Sequence, residues 1–230
     1  MSFELPLFPL NVVLFPGMPL PLHIFEPRYR LMIGRCLEGD RAFGVAQIVD
    51  GQEGLPGTTP TSVGTVAEIL EVAPFADGRM NLQTIGTRRF NILSTREIDE
   101  YLVASCEWFE EEPEEDGIWR IADKTRRILS RYFESMSLNT QLSVELGQLD
   151  VPHDPYSLSM FIAAIMALPP DQKQQLLEMT STHERLELED FLLERADIVQ
   201  RAYAKHAAYG YIQPPRNTAE DQFPNFLSLN

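Results

Sequence analysis

The residues able to carry covalent or acid–base chemistry are few and widely scattered along this 230-residue chain. Its histidines lie at positions 23, 153, 183 and 206, and its two cysteines are Cys36 and Cys106. No group of them has the short spacing that zinc sites require. We therefore expect no metal and no cofactor, and we expect both cysteines to be buried free thiols.

The sequence motifs for nucleophilic catalysis and for phosphate binding are also missing. The sequence holds no Gly-x-Ser-x-Gly elbow, and none of its three lysines, at positions 124, 173 and 205, follows a glycine. A phosphate-binding loop needs a Gly-Lys pair, and no lysine sits in a loop that would define a Ser-Lys dyad. We expect a protein that is not an enzyme, with neither ATP hydrolysis nor peptide-bond cleavage.

The elements that must position any site begin with a proline-rich stretch, residues 3–30, which holds six of the 17 prolines. Each proline removes a backbone donor and fixes φ, so the apolar pieces between them predict short, kinked edge strands. A helix is expected to begin at Pro27, where the missing N–H is harmless, and to end near Leu37. The strands expected after it cover residues 42–49, 63–72, 80–85, 89–94 and 101–109, with a hairpin turn at 76–79.

Residues 107–116 hold seven acids and a central proline, which predicts a boundary. Apolar periodicity after it predicts helices over residues 118–136, 154–168, 171–179 and 181–209. We expect an α+β fold in which a curved β-sheet with one helix precedes a C-terminal helical bundle. The domains predicted are a β-rich subdomain (1–110), an acidic hinge (111–117), a helical subdomain (118–210) and a tail (211–230). The alternative for the acidic run is a docking surface for a basic partner.

The net charge of −15 argues against partners that carry phosphate. Such a surface repels nucleic acid and anionic membranes, although Arg79, Arg88 and Arg89 could form a local basic face. No apolar run approaches the ~18 residues of a membrane span, and the start of the chain lacks the pattern of a signal peptide. We expect a cytoplasmic protein that binds neither nucleic acid nor membranes.

Several motifs resemble the N-terminal domain of Lon proteases. The opening reads LPLFPL, LFPG and PLHIFEPRYR, and the segments that follow in register include FGV, GTVAEI, DGR and GTRRFNI. Farther on, KQQLLE and ERLE are similar to a helical segment of that family, so the resemblance spans roughly residues 5–193. It implies a β-part shaped as a PUA-like pseudo-barrel. A full Lon protease adds ATPase and peptidase modules, whose motifs are missing from this sequence.

The resemblance implies a substrate-recognition or adaptor module that holds unfolded or extended polypeptides and delivers them to a separate ATP-dependent protease. A sensor of small molecules or effectors, with its ligand between the β-part and the helices, is the alternative function. An extended peptide could add to a proline-broken sheet edge.

The candidate peptide-binding side chains are apolar or cationic groups of the proline-rich stretch. They are Phe8, Phe15, Met18, Phe25, Arg28 and Tyr29. The alternative for these residues is a structural role, with the aromatic groups in the core and the arginine paired with a nearby acid. The apolar segment Phe223–Leu229 of the tail is expected either to fold back on the helices or to bind a partner.

Overall fold

The structure is a computed structural model that describes residues 2–51, 58–137 and 150–208, without the side chains of residues 206–208. The strands are β1 Phe3–Leu10, β2 Pro19–Ile24, β3 Ala42–Asp50, β4 Thr59–Pro60, β5 Val63–Pro74, β6 Met80–Ile98 and β7 Tyr101–Trp108. The helices are α1 Pro27–Glu38, α2 Ile118–Ser137, α3 Pro155–Ile165, α4 Pro170–Glu178 and α5 Thr182–Ala208. The predicted tail and its segment Phe223–Leu229 lie outside the described residues.

The fold is α+β with a largely antiparallel sheet, which confirms the predicted class. Strand β1 pairs antiparallel with β7 on one side and parallel with β3 on the other. The pairings β1-β7-β6-β5-β3 therefore return to β1 and form a closed ring. The predicted strands at 80–85 and 89–94 are parts of one long strand, β6, whose first half pairs with β2 and whose second half pairs with β7.

The prolines of β1 lie where the strand has only one hydrogen-bonded neighbour. Pro6 falls in the segment paired with β7, and Pro9 falls in the segment paired with β3; only Leu7 is paired on both sides. A proline cannot donate to a ladder, so it is tolerated where one side of the strand is free. The prediction of edge strands is thus right for β2, which pairs only with β6 among the described residues, and right only locally for β1.

A cluster of buried side chains drawn from all five strands fills the ring. At its centre Phe90 is fully buried, and two glycines on neighbouring strands make room for its ring. A Cβ atom added at Gly44 or at Gly64 would lie 2.7 Å from the Phe90 Cζ atom. Either glycine is therefore required by the close approach of the aromatic ring, because interiors leave no space for an extra methyl group.

Helix α1 covers a second cluster outside the ring. It begins at Pro27, as predicted, and buries Tyr29, Met32, Ile33 and Cys36. The ring of Tyr29 stacks on Phe8 of β1 with their centroids 4.1 Å apart. Both cysteines are free and buried, as predicted, and burial raises the pKa of each thiol to about 11.

The chain divides into two compact units. A sheet unit comprises Met1–Pro113 and Tyr156–Thr182, and a helical unit comprises Glu114–Pro155 and His183–Asn230. The sheet unit includes most of α3 and all of α4, whereas the predicted helical subdomain, residues 118–210, contained both helices. Their apolar residues, such as Met160 and Leu176, cluster with Val13, Phe15 and Phe109 of the β-part. The physical reason is that their apolar faces are buried against the sheet, a long-range contact that periodicity does not specify.

In the helical unit the ion pairs between α2 and α5 run in register. Lys124 Nζ lies 2.9 Å from an Asp190 carboxylate oxygen, and Arg131 pairs with Glu194 one to two turns farther along both helices. The residue numbers rise together, so the two helices run in the same direction. No helix among the described residues is both long enough and apolar enough to serve as a membrane span.

Candidate functional site

Three aromatic side chains meet on the surface of the sheet unit, and we call them the aromatic cluster: His23, Phe25 and Phe75. The His23 ring stacks on Phe25 with centroids 6.1 Å apart and meets Phe75 edge-on at 5.9 Å. Phe25 is 59% exposed and Phe75 is 44% exposed, and His23 is exposed as well. Exposed aromatic groups in mutual contact form a surface that can accept apolar side chains from a partner.

Three paired strands position the aromatic cluster. Strand β2 pairs with the start of β6, which also pairs with the end of β5, so His23, Asn81 and Ala73 form one row across the strands. Because side chains alternate along a strand, this row points outward while neighbours such as Ile24 and Leu82 point into the core. His23 Nδ1 lies 2.6 Å from Asn81 Oδ1, and this contact orients the imidazole ring.

The turn between β5 and β6 holds Phe75 in place. The Phe75 backbone N–H donates to the Arg79 carbonyl at 2.8 Å, and the Arg79 guanidinium lies 5.6 Å from the centroid of the Phe75 ring. Arg79 also pairs with Asp77, and hydrogen bonds from its backbone N–H and side chain lower the pKa of that carboxyl. Gly78 adopts a φ of +83° and lies against the Arg30 guanidinium, so this hairpin position requires glycine.

The structure divides the six predicted site residues between the core and the surface. Phe8, Phe15 and Tyr29 are buried, at 7%, 0% and 5% exposure, which corrects the expectation that they belong to a surface. Their role is to fill the core, which was the structural alternative. Met18 is half-buried against both neighbouring core clusters. Only Phe25 is a well-exposed apolar group, and it belongs to the aromatic cluster.

Arg28, the predicted cationic contact, is engaged by the protein itself. Its Nε donates to Glu26 at 3.0 Å, and its guanidinium carbon lies 4.5 Å from the centroid of the Tyr29 ring. Another nitrogen of the group donates to the Glu100 carbonyl at 3.4 Å. Its side chain is only 14% exposed. Arg28 therefore secures the start of α1 and the β6–β7 turn, as the structural alternative held.

A second feature of the sheet unit is a buried arginine. Arg89 is 1% exposed, and its guanidinium forms an ion pair with Glu111. The guanidinium also donates hydrogen bonds to the backbone carbonyl of Met179, at 2.8 Å, and to that of Leu177. It lies over the Phe109 ring, 4.0 Å from the ring centroid. These contacts join β6, the acidic segment and the end of α4. Arg89 therefore cannot contribute to a basic face for nucleic acid, and Arg79 is paired with Asp77.

Next to Arg89 lies an open cavity of about 380 Å³, lined by Arg88, Arg89, Phe109, Glu110, Glu111 and Tyr156. The Arg88 guanidinium lies 4.3 Å from the centre of the Trp108 ring system. Trp108 in turn packs against Phe3 with centroids 4.2 Å apart. Neither the Arg88 guanidinium nor the Glu110 carboxylate forms an ion pair or a hydrogen bond with any residue that the structure describes.

The acidic run is anchored at several points. Within the sheet unit, Glu111 pairs with Arg89, and the Glu112 backbone N–H donates to the Thr180 carbonyl at 3.0 Å. Within the helical unit, Glu115 lies 2.7 Å from His183 Nδ1. The hydrogen bond that the His183 imidazole donates to the Glu115 carboxylate raises the pKa of His183. The run is thus partly packed, because its acids have partners that lie far away in the sequence.

The histidines and cysteines of the described residues do not gather. His23 lies on β2, His153 before α3, and His183 on α5, while Cys36 and Cys106 are buried on α1 and β7. No group of three His, Cys, Asp or Glu residues in the described ranges is placed to hold a metal ion.

Phe75, Trp108 and His23 were not among the residues predicted for the site. Phe75 adjoins the hairpin signal at 76–79, which was a usable hint of exposure. What no local signal revealed is that β2 pairs with β6, since those strands are about sixty residues apart. This pairing is what brings His23 and Phe25 next to Phe75.

Solved structures of Lon N-terminal domains share this fold. The N-terminal domain of the Mycobacterium avium complex Lon protease superposes with a TM-score of 0.64 at 20% identity, covering 84% of this chain and 98% of that one. The Lon N-terminal domain protein from Xanthomonas campestris gives a TM-score of 0.58 at 27% identity, covering 81% and 96%. The structure is therefore that of a Lon N-terminal domain.

A family model described as the ATP-dependent protease La (LON) substrate-binding domain matches residues 4–195, and the chain belongs to that family. The Lon protease of Escherichia coli K12 is 29% identical over 191 residues, which is 80% of this chain and 24% of that protein. Lon protease 1 of Hydrogenovibrio crunogenus is 26% identical over 185 residues, or 77% and 22%. The chain thus spans about a quarter of the length of these relatives, a part that excludes most of the protease.

Proposed function

We propose that this chain is a non-enzymatic module that recognises unfolded or extended polypeptides and that the aromatic cluster is where their apolar segments bind. The family supports the substrate class, because the matched model is the substrate-binding domain of Lon. The single observation that supports the location is that Phe25 and Phe75, both well exposed, contact the same histidine.

The chemistry of the aromatic cluster suits extended chains of varied sequence. Aromatic faces gain contact area with proline, aromatic and aliphatic side chains without requiring one hydrogen-bonding pattern. The adjacent edge of β2 carries prolines at 19 and 21, which cannot donate to an added strand. Binding through side chains is therefore favoured over strand addition at this edge. Weak affinity is expected because an extended peptide loses chain entropy on docking.

We place the protein in the cytoplasm, where it would act as an adaptor that delivers bound polypeptides to a separate ATP-dependent protease. The closed ring of strands is proposed to be a PUA-like pseudo-barrel, and the net charge of −15 argues that this sheet does not bind nucleic acid. The helical bundle is proposed to be built on α2 and α5 and not on all of the predicted range 118–210, because most of α3 and all of α4 belong to the sheet unit.

Fluorescence anisotropy with labelled, uncharged peptides rich in Phe, Leu and Pro tests the proposed site. The double variant Phe25→Ser with Phe75→Ser should weaken binding about tenfold, since each loses a largely exposed aromatic contact. Phe191→Ser is the matched control, because Phe191 is 54% exposed on α5 in the helical unit. Equal losses in both variants would overturn the aromatic cluster as the site, and absence of any binding to the folded wild-type chain would overturn the proposed function.

The acidic segment is proposed to be the domain boundary, but a narrower one than residues 111–117. Glu111 and Glu112 are held to the sheet unit, whereas Glu114 and Asp116 are exposed and have no partner among the described residues. Digestion with a glutamate-specific protease should cut first after Glu114 or Glu115, because exposed loops are cleaved before packed ones. First cuts elsewhere, with this segment intact, would show that it is not a linker.

A further inference from the structure

We infer that the cavity beside Arg89 is an anchor pocket for one uncharged apolar side chain of a bound polypeptide, with Arg88 and Glu110 holding the adjacent peptide groups. The pocket lies in the sheet unit and is distinct from the aromatic cluster. The inference rests on the proposed function for the class of ligand, and it adds a second contact point with a specificity of its own.

The size and walls of the cavity define the group that fits. Its volume of about 380 Å³ is at the lower end of the range for ligand pockets, so it has room for one side chain together with the peptide groups beside it but not for a large cofactor. The side chains of Phe109 and Tyr156 provide apolar wall, and both belong to or pack against a buried apolar cluster. A leucine or phenylalanine side chain entering from solvent would exchange water contact for contact with these rings.

The charges of the lining select against ionic side chains. Arg88 and Arg89 carry two positive charges and Glu110 and Glu111 carry two negative charges, so the lining sums to zero. Arg89 and Glu111 are already paired with each other. A charged side chain entering the pocket would be attracted by one of Arg88 and Glu110 and repelled by the other, so it would gain little in return for the hydration that it loses, which favours an uncharged group.

The two remaining ionic groups match the polarity of a peptide backbone. Arg88 offers guanidinium N–H donors and Glu110 offers carboxylate acceptors, and neither has an ion-pair or hydrogen-bond partner within the described ranges. A polypeptide carries a carbonyl acceptor and an N–H donor beside every side chain. Arg88 can therefore donate to a peptide carbonyl while Glu110 accepts from a peptide N–H, without any demand on the sequence of the ligand.

Trp108 provides a direct optical readout of the pocket. Its ring lies under the Arg88 guanidinium, so a ligand that draws Arg88 into a new hydrogen bond changes the surroundings of the indole. The chain has two tryptophans, and Trp119 is 55% exposed in the helical unit. A Trp119→Phe background leaves Trp108 as the only tryptophan, and its emission can then report on the pocket alone.

The test titrates the Trp119→Phe protein with uncharged peptides that differ at one central residue, which is Leu, Phe, Ala, Asp or Lys. The Leu and Phe peptides should produce a saturable change in Trp108 emission, and the Ala, Asp and Lys peptides should bind about tenfold more weakly. Arg88→Gln and Glu110→Gln should each weaken binding of the Leu peptide up to about tenfold, since each replaces a charge-assisted hydrogen bond to the peptide backbone with a weaker neutral one. Arg96→Gln and Glu97→Gln, which alter an exposed arginine and a neighbouring glutamate on β6, are the controls and should have no effect.

The outcomes separate this inference from the proposed function. If peptides bind and the Phe25→Ser, Phe75→Ser variant loses binding while Trp108 emission never changes, the pocket is not a site although the proposed function stands. If Trp108 responds but Arg88→Gln and Glu110→Gln bind as the wild type does, the backbone contacts are wrong and the inference fails. If the Trp108 response is intact in the aromatic-cluster variant with unchanged affinity, the pocket stands and the aromatic cluster is not required.

Discussion

The proline-rich stretch places similar phenylalanines in opposite environments. Phe15 is fully buried and Phe25 is 59% exposed, although each lies within two residues of a proline. Phe15 begins a tight turn in which the Met18 N–H donates to its carbonyl, Pro16 fixes φ, and Gly17 adopts a φ of +80°. Phe25 follows the end of β2, where the chain leaves the sheet to start α1. Proximity to proline therefore does not decide exposure; the strand pairings around each residue do.

The largest expected effect tests this contrast directly. Phe15→Ala should lower the free energy of unfolding by about 3–5 kcal/mol, because it removes a fully buried aromatic ring and leaves a cavity. Phe25→Ala should change it by less than about 0.5 kcal/mol, because the side chain is already in water. Urea denaturation followed by circular dichroism measures both. Similar losses for the two variants would mean that Phe25 is part of the core.

A pair of neighbouring arginines extends the comparison to charged groups. Arg89→Met should cost about 3 kcal/mol or more, because it leaves the Leu177 and Met179 carbonyls and Glu111 without their donor. Arg88→Met should cost less than about 1 kcal/mol, because Arg88 is exposed and its guanidinium lies over the Trp108 ring. Chemical denaturation measures the free energy of unfolding of both variants. An Arg89→Met protein as stable as the wild type would show that the buried ion pair is replaceable by an apolar group.

The two anchors of the acidic segment should respond differently to pH. Arginine side chains do not lose their proton in proteins, whereas His183, held by Glu115 and also facing Glu187, has a raised pKa. A histidine whose pKa is higher in the folded state than in the unfolded state stabilises the fold. This stabilisation is complete below the pKa of the unfolded state, about 6.5, and is lost as the pH rises through the pKa of the folded state.

His183→Gln should therefore lower stability at pH 5.5 and have little effect at pH 8.5, as measured by thermal unfolding. Glu115→Gln should move the His183 pKa, read by NMR, back toward its ordinary value. A His183 pKa at or below about 6.5 in the wild-type protein would contradict this anchor.

The smallest expected effect compares two turns. The turn after Phe15 has glycine at its positive φ, but the β6–β7 turn places Asp99 and Glu100 at φ values of +48° and +68°. Arg35 donates to the Asp99 carboxylate at 2.6 Å, which helps to hold the turn. Glu100→Gly should stabilise the protein by about 0.5 kcal/mol by relieving backbone strain, while Gly17→Ala should destabilise it by about 1 kcal/mol. A shift of the same sign in both thermal midpoints would contradict this account.

Local signals in the sequence predicted the elements well and their partners poorly. The start of α1 at Pro27, the hairpin before Met80 and the helix from Ile118 follow from proline geometry, turn chemistry and apolar periodicity. The closure of the ring through β1 and the burial of α4 against the sheet depend on contacts between distant segments. Such contacts leave no mark in the periodicity of either partner.

The residues of the candidate site also divide into those that local sequence predicts and those that depend on long-range strand pairing. Phe25 was identified from its neighbourhood, but His23 and Phe75 join it only through the pairing of β2 with β6 and β5. Phe8, Phe15 and Tyr29 were grouped with it because residue type and proline spacing do not distinguish the two faces of a strand. A shift of one residue in the pairing of a strand exchanges the side chains that face the core with those that face solvent. Only the register therefore determines which side chains are exposed.

The closure of the ring has a consequence for synthesis of the chain on the ribosome. Strand β1 is made first, but its antiparallel partner β7 begins only at Tyr101. At a translation rate of about 5–20 residues per second, β1 waits roughly 5–20 s before β7 can pair with it. During that time an apolar strand is open to wrong partners in a crowded cell. Pro6 and Pro9 have no backbone N–H to donate, so they interrupt the row of hydrogen-bond donors along this strand. The same prolines that are tolerated in the closed ring therefore also reduce aggregation of the chain before the ring closes.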